Sequence, residues 1–437
     1  MSDGARLAAT LYEPAAAPPP AGFPAIVMLH GVGGKRQDLD PIARSFSSND
    51  YVVVAFDARG YGQSGGLASI DGPREIADTR AVFDWLAARP EIDRHHIGAW
   101  GISLGGGAVL RSLVQGVPWE TVEVLQTWTD LYSALAPQNL AKSGAIYSFL
   151  SSATQNRLDP SVLAVADDAL ANRNLRSLRS FASVRSSRRL LSSVRTPVLM
   201  FQGRRDFEFD IAQAKAGYRL LKGPKGLYVG DFGHSPSTFP GPDVVAVVGY
   251  GLDWFNRYLR GLPVDLPFSF GLAADPWRDS VALYGDLPST RRLAFRLSGR
   301  ATIRSSGRIV RATAKTRRRL ETFGSPKVRL RVRLSGGWSR LVAVLTARPP
   351  HGAEVVVSEG GINTAGLRGR RRLTIRMIDQ ATLIRRGSRL QLTLASSSLA
   401  QDPANLLYLN LPMPAAARIS IREAKLVLPV LLHPVSR

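Results

Sequence analysis

Three short segments hold residue types at spacings that could do covalent chemistry. The first is Gly101-Ile102-Ser103-Leu104-Gly105, a serine with glycine two places before and two places after it. An apolar run over 96–100 leads in as a strand, and Gly106-Gly107-Ala108-Val109-Leu110 starts a helix behind it. A serine on so sharp a strand-to-helix turn needs small neighbours at those two places. The turn also aims unpaired helix N–H groups at developing negative charge. The second segment, Thr196-Pro197-Val198-Leu199-Met200-Phe201-Gln202-Gly203, reads as a strand, with Asp206 three residues beyond it. The third, Lys225-Gly226-Leu227-Tyr228-Val229-Gly230, reads as the next strand, and His234 stands on the loop that follows. A serine hydroxyl becomes a nucleophile when a base lies within hydrogen-bond reach, and the base needs an orienting carboxylate. The order Ser, acid, His, each after a strand, supplies those parts.

Neighbouring residues compete for these roles. The chain has six histidines. His30 opens a different loop, His95 and His96 precede a strand, and His351 and His433 lie in a basic C-terminal region, which leaves His234. Glu208 and Asp210 follow Asp206 closely; the strand-end position favours Asp206, and Asp210 suits the N-cap or first turn of a helix starting near Ile211. Asp231 reads as a surface turn residue, with stabilisation of the histidine loop as the alternative. In Ile26-Val27-Met28-Leu29-His30-Gly31-Val32-Gly33-Gly34 a buried strand runs into a glycine-rich turn, so the backbone N–H groups of Val32 and Leu104 are the expected oxyanion donors. Neither a P-loop nor a dinucleotide fingerprint is present. The polar loop Asp57-Ala58-Arg59-Gly60-Tyr61-Gly62-Gln63-Ser64-Gly65-Gly66 is expected to buttress the site. Histidines are scattered and no metal-ligand spacing occurs, so neither cofactor nor metal is expected. Cysteine is absent, which excludes disulfides and thiol chemistry.

Elements able to position these residues follow from the hydrophobic pattern. Apolar runs at 5–12, 24–29, 51–56, 96–100, 121–127, 197–201 and 226–229 read as strands, several of them continuous, as in a parallel sheet buried on both faces. Helical spacing occupies 74–88 and 212–221. Residues 132–195 hold no clear strand and read as a helical cap over the carboxyl edge of the sheet, where open α/β folds bind ligands. Residues 1–131 and 196–262 are then the catalytic domain, and 263–290 an irregular connector. Residues 291–437 carry short alternating runs at 292–297, 327–334, 340–347, 353–357, 371–377, 389–394 and 418–427, the pattern of an all-β sandwich or jelly roll. Charge marks the same division: residues 1–290 hold 28 Lys+Arg and 28 Asp+Glu, whereas 291–437 hold 29 and 6, the whole net charge of +23.

With these motifs in place the chain resembles the X-Pro dipeptidyl-peptidase and cocaine-esterase group of serine hydrolases. The likeness runs from Ser2-Asp3-Gly4-Ala5-Arg6-Leu7 through the 57–65 loop, the 101–105 turn, Gln202-Gly203-Arg204-Arg205-Asp206 and Gly233-His234. It continues to Trp254-Phe255-Asn256-Arg257-Tyr258-Leu259-Arg260-Gly261 and Pro276-Trp277-Arg278-Asp279. The resemblance implies an α/β-hydrolase fold with a helical cap, a jelly-roll domain after it, and the same triad positions. Where such proteins commonly carry a proline–tyrosine pair whose phenol assists the oxyanion, this chain has Gly31-Val32, so its donors are expected to be backbone alone. No acidic residues for a substrate's free amine are evident. Together these points favour a serine esterase with Ser103 as nucleophile, His234 as base and Asp206 as acid, acting on small-molecule or polymeric esters.

An X-Pro dipeptidyl-peptidase or acyl-amide hydrolase is the alternative. From another class comes a binder of anionic surfaces or polymers through residues 291–437. A specific nucleic-acid partner is not expected, because no aromatic stacking sheet accompanies the arginines. No apolar stretch approaches the ~20 residues of a membrane span. An extracellular location with the leader missing from this chain is expected, with a cytoplasmic one as the alternative.

Overall fold

The computed structural model describes residues 1–153, 157–305, 307–398 and 407–436. The first half alternates strand and helix. β1 (Ala9–Tyr12), β2 (Phe23–Leu29), α1 (Asp40–Ser47), β3 (Val52–Phe56), α2 (Pro73–Ala87), β4 (Ile92–Ile102), α3 (Leu104–Val114) and β5 (Val122–Leu125) come first. After an all-helical interval come β6 (Val198–Gly203), α8 (Ile211–Leu220), β7 (Lys225–Gly230), α9 (Val244–Leu259), β8 (Phe270–Ala273) and β9 (Val281–Tyr284). The interval itself holds α4 (Leu131–Leu135), α5 (Ser143–Ser152), α6 (Pro160–Leu170) and α7 (Leu175–Ser183). Residues 154–156 of the stretch expected to form the cap lie outside the described residues.

The nine strands form one sheet in the order β1-β3-β2-β4-β5-β6-β7-β8-β9. Only the β1–β3 and β8–β9 pairs are antiparallel. Every residue of β3, β5 and β6 is buried, which explains their unbroken apolar runs. Alternate residues of one strand serve two cores. Ala25, Val27 and Leu29 of β2 pack with α2, α3 and α8 on one face, while Ile26 and Met28 pack with α1 and α9 on the other. This is the three-layer α/β-hydrolase arrangement, with the helical cap inserted between β5 and β6. The stretch read as an irregular connector, 263–290, also holds β8 and β9, which extend the sheet; four residues each, they are too short to show a period amid their Pro and Gly.

From Thr290 onward the described residues form strands and loops. The strands are β10 (Thr290–Leu297), β11 (Ala301–Arg304), β12 (Ile309–Lys315), β13 (Leu320–Glu321), β14 (Lys327–Ser335), β15 (Arg340–Arg348), β16 (Val355–Asn363), β17 (Gly369–Arg376), β18 (Leu383–Ile384), β19 (Arg389–Ala395) and β20 (Arg418–Leu431). One sheet has the order β10-β20-β14-β17, with β11 also pairing β20; the other has the order β12-β19-β15-β16. Their inner faces share one core, in which Val328, Leu330 and Val332 of β14 meet Leu341, Ala343 and Leu345 of β15. The second sheet is covered on its other side as well: Val342 and Val344 of β15 pack with Leu140, Phe207 and Tyr408. The sheet containing β15 therefore lies between the α/β half and the sheet containing β14. Among the described residues no helix is long and apolar enough to cross a membrane.

Candidate active site

The turn between β4 and α3 explains its own sequence. A Cβ on Gly101 would stand 2.4 Å from the Gly105 carbonyl oxygen, and one on Gly105 would stand 2.2 Å from that of Leu29. Either substitution would push the turn apart. Ser103 between them has φ 54° and ψ −115°, a conformation costly for a residue with a side chain. It is held because the Ser103 N–H donates to the Leu125 carbonyl at 2.9 Å and the Thr127 hydroxyl donates to the Ser103 carbonyl at 2.8 Å.

Two strand-end loops bring the other expected residues to this serine. His234 Nε2 lies 2.9 Å from Ser103 Oγ, and His234 Nδ1 lies 2.7 Å from Asp206 Oδ2. With a carboxylate facing Nδ1, that nitrogen carries the single proton of the neutral ring, in which Nε2 is left to accept one. Asp206 is fully buried, and its Oδ1 accepts the N–H groups of Glu208 at 3.0 Å and Phe209 at 2.9 Å. Burial works against an imidazolium at His234, but the carboxylates of Asp206 and Glu208 outweigh it and raise its pKa to about 9.

Glu208 is the residue that sequence reasoning passed over. Its Oε2 is 3.8 Å from His234 Nε2, on the same side as Ser103, and burial raises its pKa. The two share a cavity of about 420 Å³ with Val32, Gln126 and Phe149. Gln126 closes the end of β5 with φ 39°, and its buried Oε1 has no hydrogen-bond partner. Neither residue carried a motif; only their position after a buried strand marked them.

Val32 lines this cavity, and the turn preceding it comes close to the serine: a Cβ on Gly31 would lie 3.4 Å from Ser103 Cβ. Leu104 opens α3, so its N–H has no partner inside the helix. His30 braces this turn. The Ala58 N–H donates to its Nε2 at 2.9 Å, so Nδ1 donates to the Gly31 carbonyl at 2.7 Å, and burial lowers the His30 pKa, keeping the ring neutral. Asp57 accepts the N–H of Arg36 at 2.7 Å and that of Gln63 at 2.8 Å. Arg59 binds both oxygens of Asp78 at 2.7 Å. The 57–66 loop thus ties the site's walls together, as its residue types suggested.

The Asp206 loop is gripped from outside the nine-stranded sheet. Gln380, just after β17, donates to the Asp206 carbonyl at 2.7 Å, and the Ala381 N–H donates to the Arg204 carbonyl at 2.9 Å. Buried Lys142, ahead of α5, donates to the carbonyls of Phe207 and Glu208 at 2.9 Å each. Asp210 does stand at the N-cap of α8, but its side chain makes no cap bond; it accepts the Asp379 N–H at 2.8 Å instead. Asp231 is no simple surface turn residue, because its carboxylate accepts the Trp277 N–H at 3.0 Å. Among the described residues no group of three or more His, Asp or Glu side chains converges as metal ligands would.

Comparison with known proteins places the chain in context. The family profile described as X-Pro dipeptidyl-peptidase (S15 family) matches residues 3–236. Among curated proteins, the quorum-quenching protein AidA of Acinetobacter baumannii is 32% identical over 146 residues, 32% of this chain and 45% of that protein. A 31.7 kDa protein of Escherichia coli is 36% identical over 94 residues, 21% of this chain and 33% of that one. The chain thus spans about a third to under a half of the length of these curated relatives. Two solved structures resemble it over nearly its whole length. A CocE/NonD family hydrolase from Staphylococcus aureus has 16% identity and a TM-score of 0.76, covering 99% of this chain and 92% of that one. An α-amino acid ester hydrolase has 15% identity and a TM-score of 0.66, covering 98% and 95%. At these identities the likeness is one of fold.

Proposed function

Because the chain belongs to the X-Pro dipeptidyl-peptidase (S15) family, we propose that it is a serine hydrolase whose main reaction is cleavage of carboxylic esters. The observation that carries this reading is the unbroken relay from Ser103 Oγ through the His234 ring to Asp206. Ser103 Oγ attacks the ester carbonyl carbon as its proton passes to His234 Nε2, and the charge left on the carbonyl oxygen is met by the N–H groups of Val32 and Leu104. The tetrahedral adduct collapses, the C–O bond to the alcohol breaks, and His234 returns its proton to the departing alkoxide. Water then attacks the acyl-enzyme by the same path and frees the acid.

Apolar surface near the relay suits an uncharged acyl group. Phe149 lines both the 420 Å³ cavity and a second, smaller one of about 70 Å³ inside the cap, walled by Trp128, Leu131, Ile146 and Leu158. The test is hydrolysis of p-nitrophenyl butyrate beside an X-Pro p-nitroanilide, for wild type and Ser103→Ala. Ester cleavage lost by about 10⁴-fold or more in the variant is the expected result. Ester hydrolysis that survives in Ser103→Ala would reject the assignment, and cleavage of the anilide alone would make the protein a peptidase.

Glu208 supports a second reading, in which the acyl part carries an ammonium group. A cation paired with its buried carboxylate would cancel one of the two charges that favour the imidazolium and so lower the His234 pKa. With such substrates the acid limb of kcat, which reports the substrate complex, would lie at lower pH than with uncharged esters. Coincident limbs for an amino-acyl ester and butyrate would dismiss this reading.

A further inference from the structure

The outer face of the β10-β20-β14-β17 sheet is a lattice of cations. On β14, Lys327, Arg329, Arg331 and Arg333 are all at outward positions, alternating with buried apolar residues or partly so in the case of Lys327. The register sets like charges directly opposite one another: Lys327 faces Arg376, Arg331 faces Arg372, and Arg333 faces Arg370. On the other side Arg329 faces Lys425 of β20, which in turn faces Arg296 of β10. Among the described residues only one carboxylate, Glu423, pairs with a cation of this face, holding Arg331 at 3.2 Å. A shallow depression of about 660 Å³ runs between these side chains.

Like charges opposite one another on a sheet are destabilising, so the arrangement calls for a reason. Protection of a sheet edge is not sufficient. Edge protection places charge on the outer strands, whereas β14 and β20 are the interior strands of this sheet and carry much of it. Solubility does not need one sign either, since surfaces that keep proteins apart intersperse both. The lattice is two-dimensional, with strands about 4.8 Å apart and outward residues about 6.8 Å apart along each strand. Its outward positions hold Arg, Lys, Thr, Ser, Ala, Glu, Val and Pro but no aromatic ring on which a base could stack, and no helix or ribbon projects from it to enter a groove. A broad anionic plane requires neither.

We propose that this face docks on a bilayer leaflet rich in anionic lipid. The charged headgroups meet the guanidinium lattice, with arginine's fork suited to phosphate oxygens. The face lies on the far side of the sandwich from the acid loop, because the sheet containing β15 stands between them. Docking there leaves the cavity of Ser103 and Glu208 uncovered.

The experiment is co-sedimentation of the full chain with vesicles of phosphatidylcholine alone and of phosphatidylcholine with phosphatidylglycerol. It compares wild type, a triple variant Arg329→Thr/Arg333→Thr/Arg372→Thr, and the same three positions changed to Lys. Wild type should sediment only with the anionic vesicles and be released as salt is raised. Each lost charge weakens partition about fivefold, so the Thr variant should bind about 100-fold more weakly while the Lys variant keeps most of the binding. Ester hydrolysis should be unaltered in both and the melting temperature should not fall in either, showing an intact fold. Three outcomes would overturn the proposal: no sedimentation of wild type at low salt, equal binding to uncharged vesicles, or a Thr variant that binds like wild type. Tighter binding to a DNA duplex than to anionic vesicles under the same salt would assign the face to nucleic acid and overturn it too.

Discussion

β14 and β15 are consecutive strands of nine residues each, and they meet in one core, yet they are buried differently. In β14 each residue from Val328 to Ser335 alternates between buried and exposed. In β15 every residue but Arg348 is buried. The cause is what lies behind each sheet. Behind β14 is solvent; behind β15 are Leu140, Phe207 and Tyr408, which cover Val342 and Val344. One strand therefore reads as a half-covered antiparallel surface and the other as a filled interior, although both belong to antiparallel sheets. The consequence reaches the site, since the loop after β17 that holds the Asp206 carbonyl belongs to the side of the sandwich turned towards the hydrolase half.

The contrast can be broken most severely at β15. Leu345→Ala removes a fully buried side chain between the two sheets and should cost about 2–5 kcal/mol, read by chemical denaturation. A loss below about 1 kcal/mol would mean the two sheets are not tightly packed. Next comes the clamp across the halves. Gln380→Leu leaves the buried Asp206 carbonyl without its donor, which should cost about 1–3 kcal/mol. If the clamp positions the acid, kcat falls with KM little changed and the pH profile moves; a drop in melting temperature alone would make Gln380 merely structural.

The pH dependence tests the charges around the base. As the proposed base His234 must be neutral to accept a proton, and the carboxylates beside it raise its pKa to about 9, so kcat/KM for an uncharged ester should rise with pH up to about that value. Glu208→Gln removes one of the carboxylates favouring the imidazolium, so the limb should move to lower pH; an unmoved limb would show that Glu208 is not charged when His234 titrates. Stability follows the same sign. A histidine whose folded pKa exceeds its unfolded value stabilises the fold fully below the unfolded value near 6.5, and that contribution is lost as pH rises through about 9. The smallest effect belongs to β14: Arg333→Thr on the exposed face should change stability by about 0.5 kcal/mol or less, with relief of its repulsion against Arg370 tending to raise it. A loss above about 1 kcal/mol would contradict a solvent-facing, like-charged position.

Much of this was readable from local pattern. Glycines two places either side of Ser103, the strand ends before Asp206 and His234, and the alternation of Arg with Val and Leu in β14 are short-range constraints, set by turn sterics and the two-residue period of a strand. The α/β-hydrolase core was legible for the same reason, because strands buried on both faces must be continuous apolar runs. What the sequence alone left open are the meetings of distant segments. Glu208 beside the base, Gln126 in the cavity, Lys142 and Gln380 on the acid loop, and the sharing of Val342 and Val344 between halves all depend on residues brought together from far along the chain. Two further strands, β8 and β9, were hidden by their shortness. Local sequence determines what a residue is able to do by its type and its place on a strand or turn. Only the folded chain decides which carboxylate, carbonyl or cation it meets, because that depends on how whole layers pack.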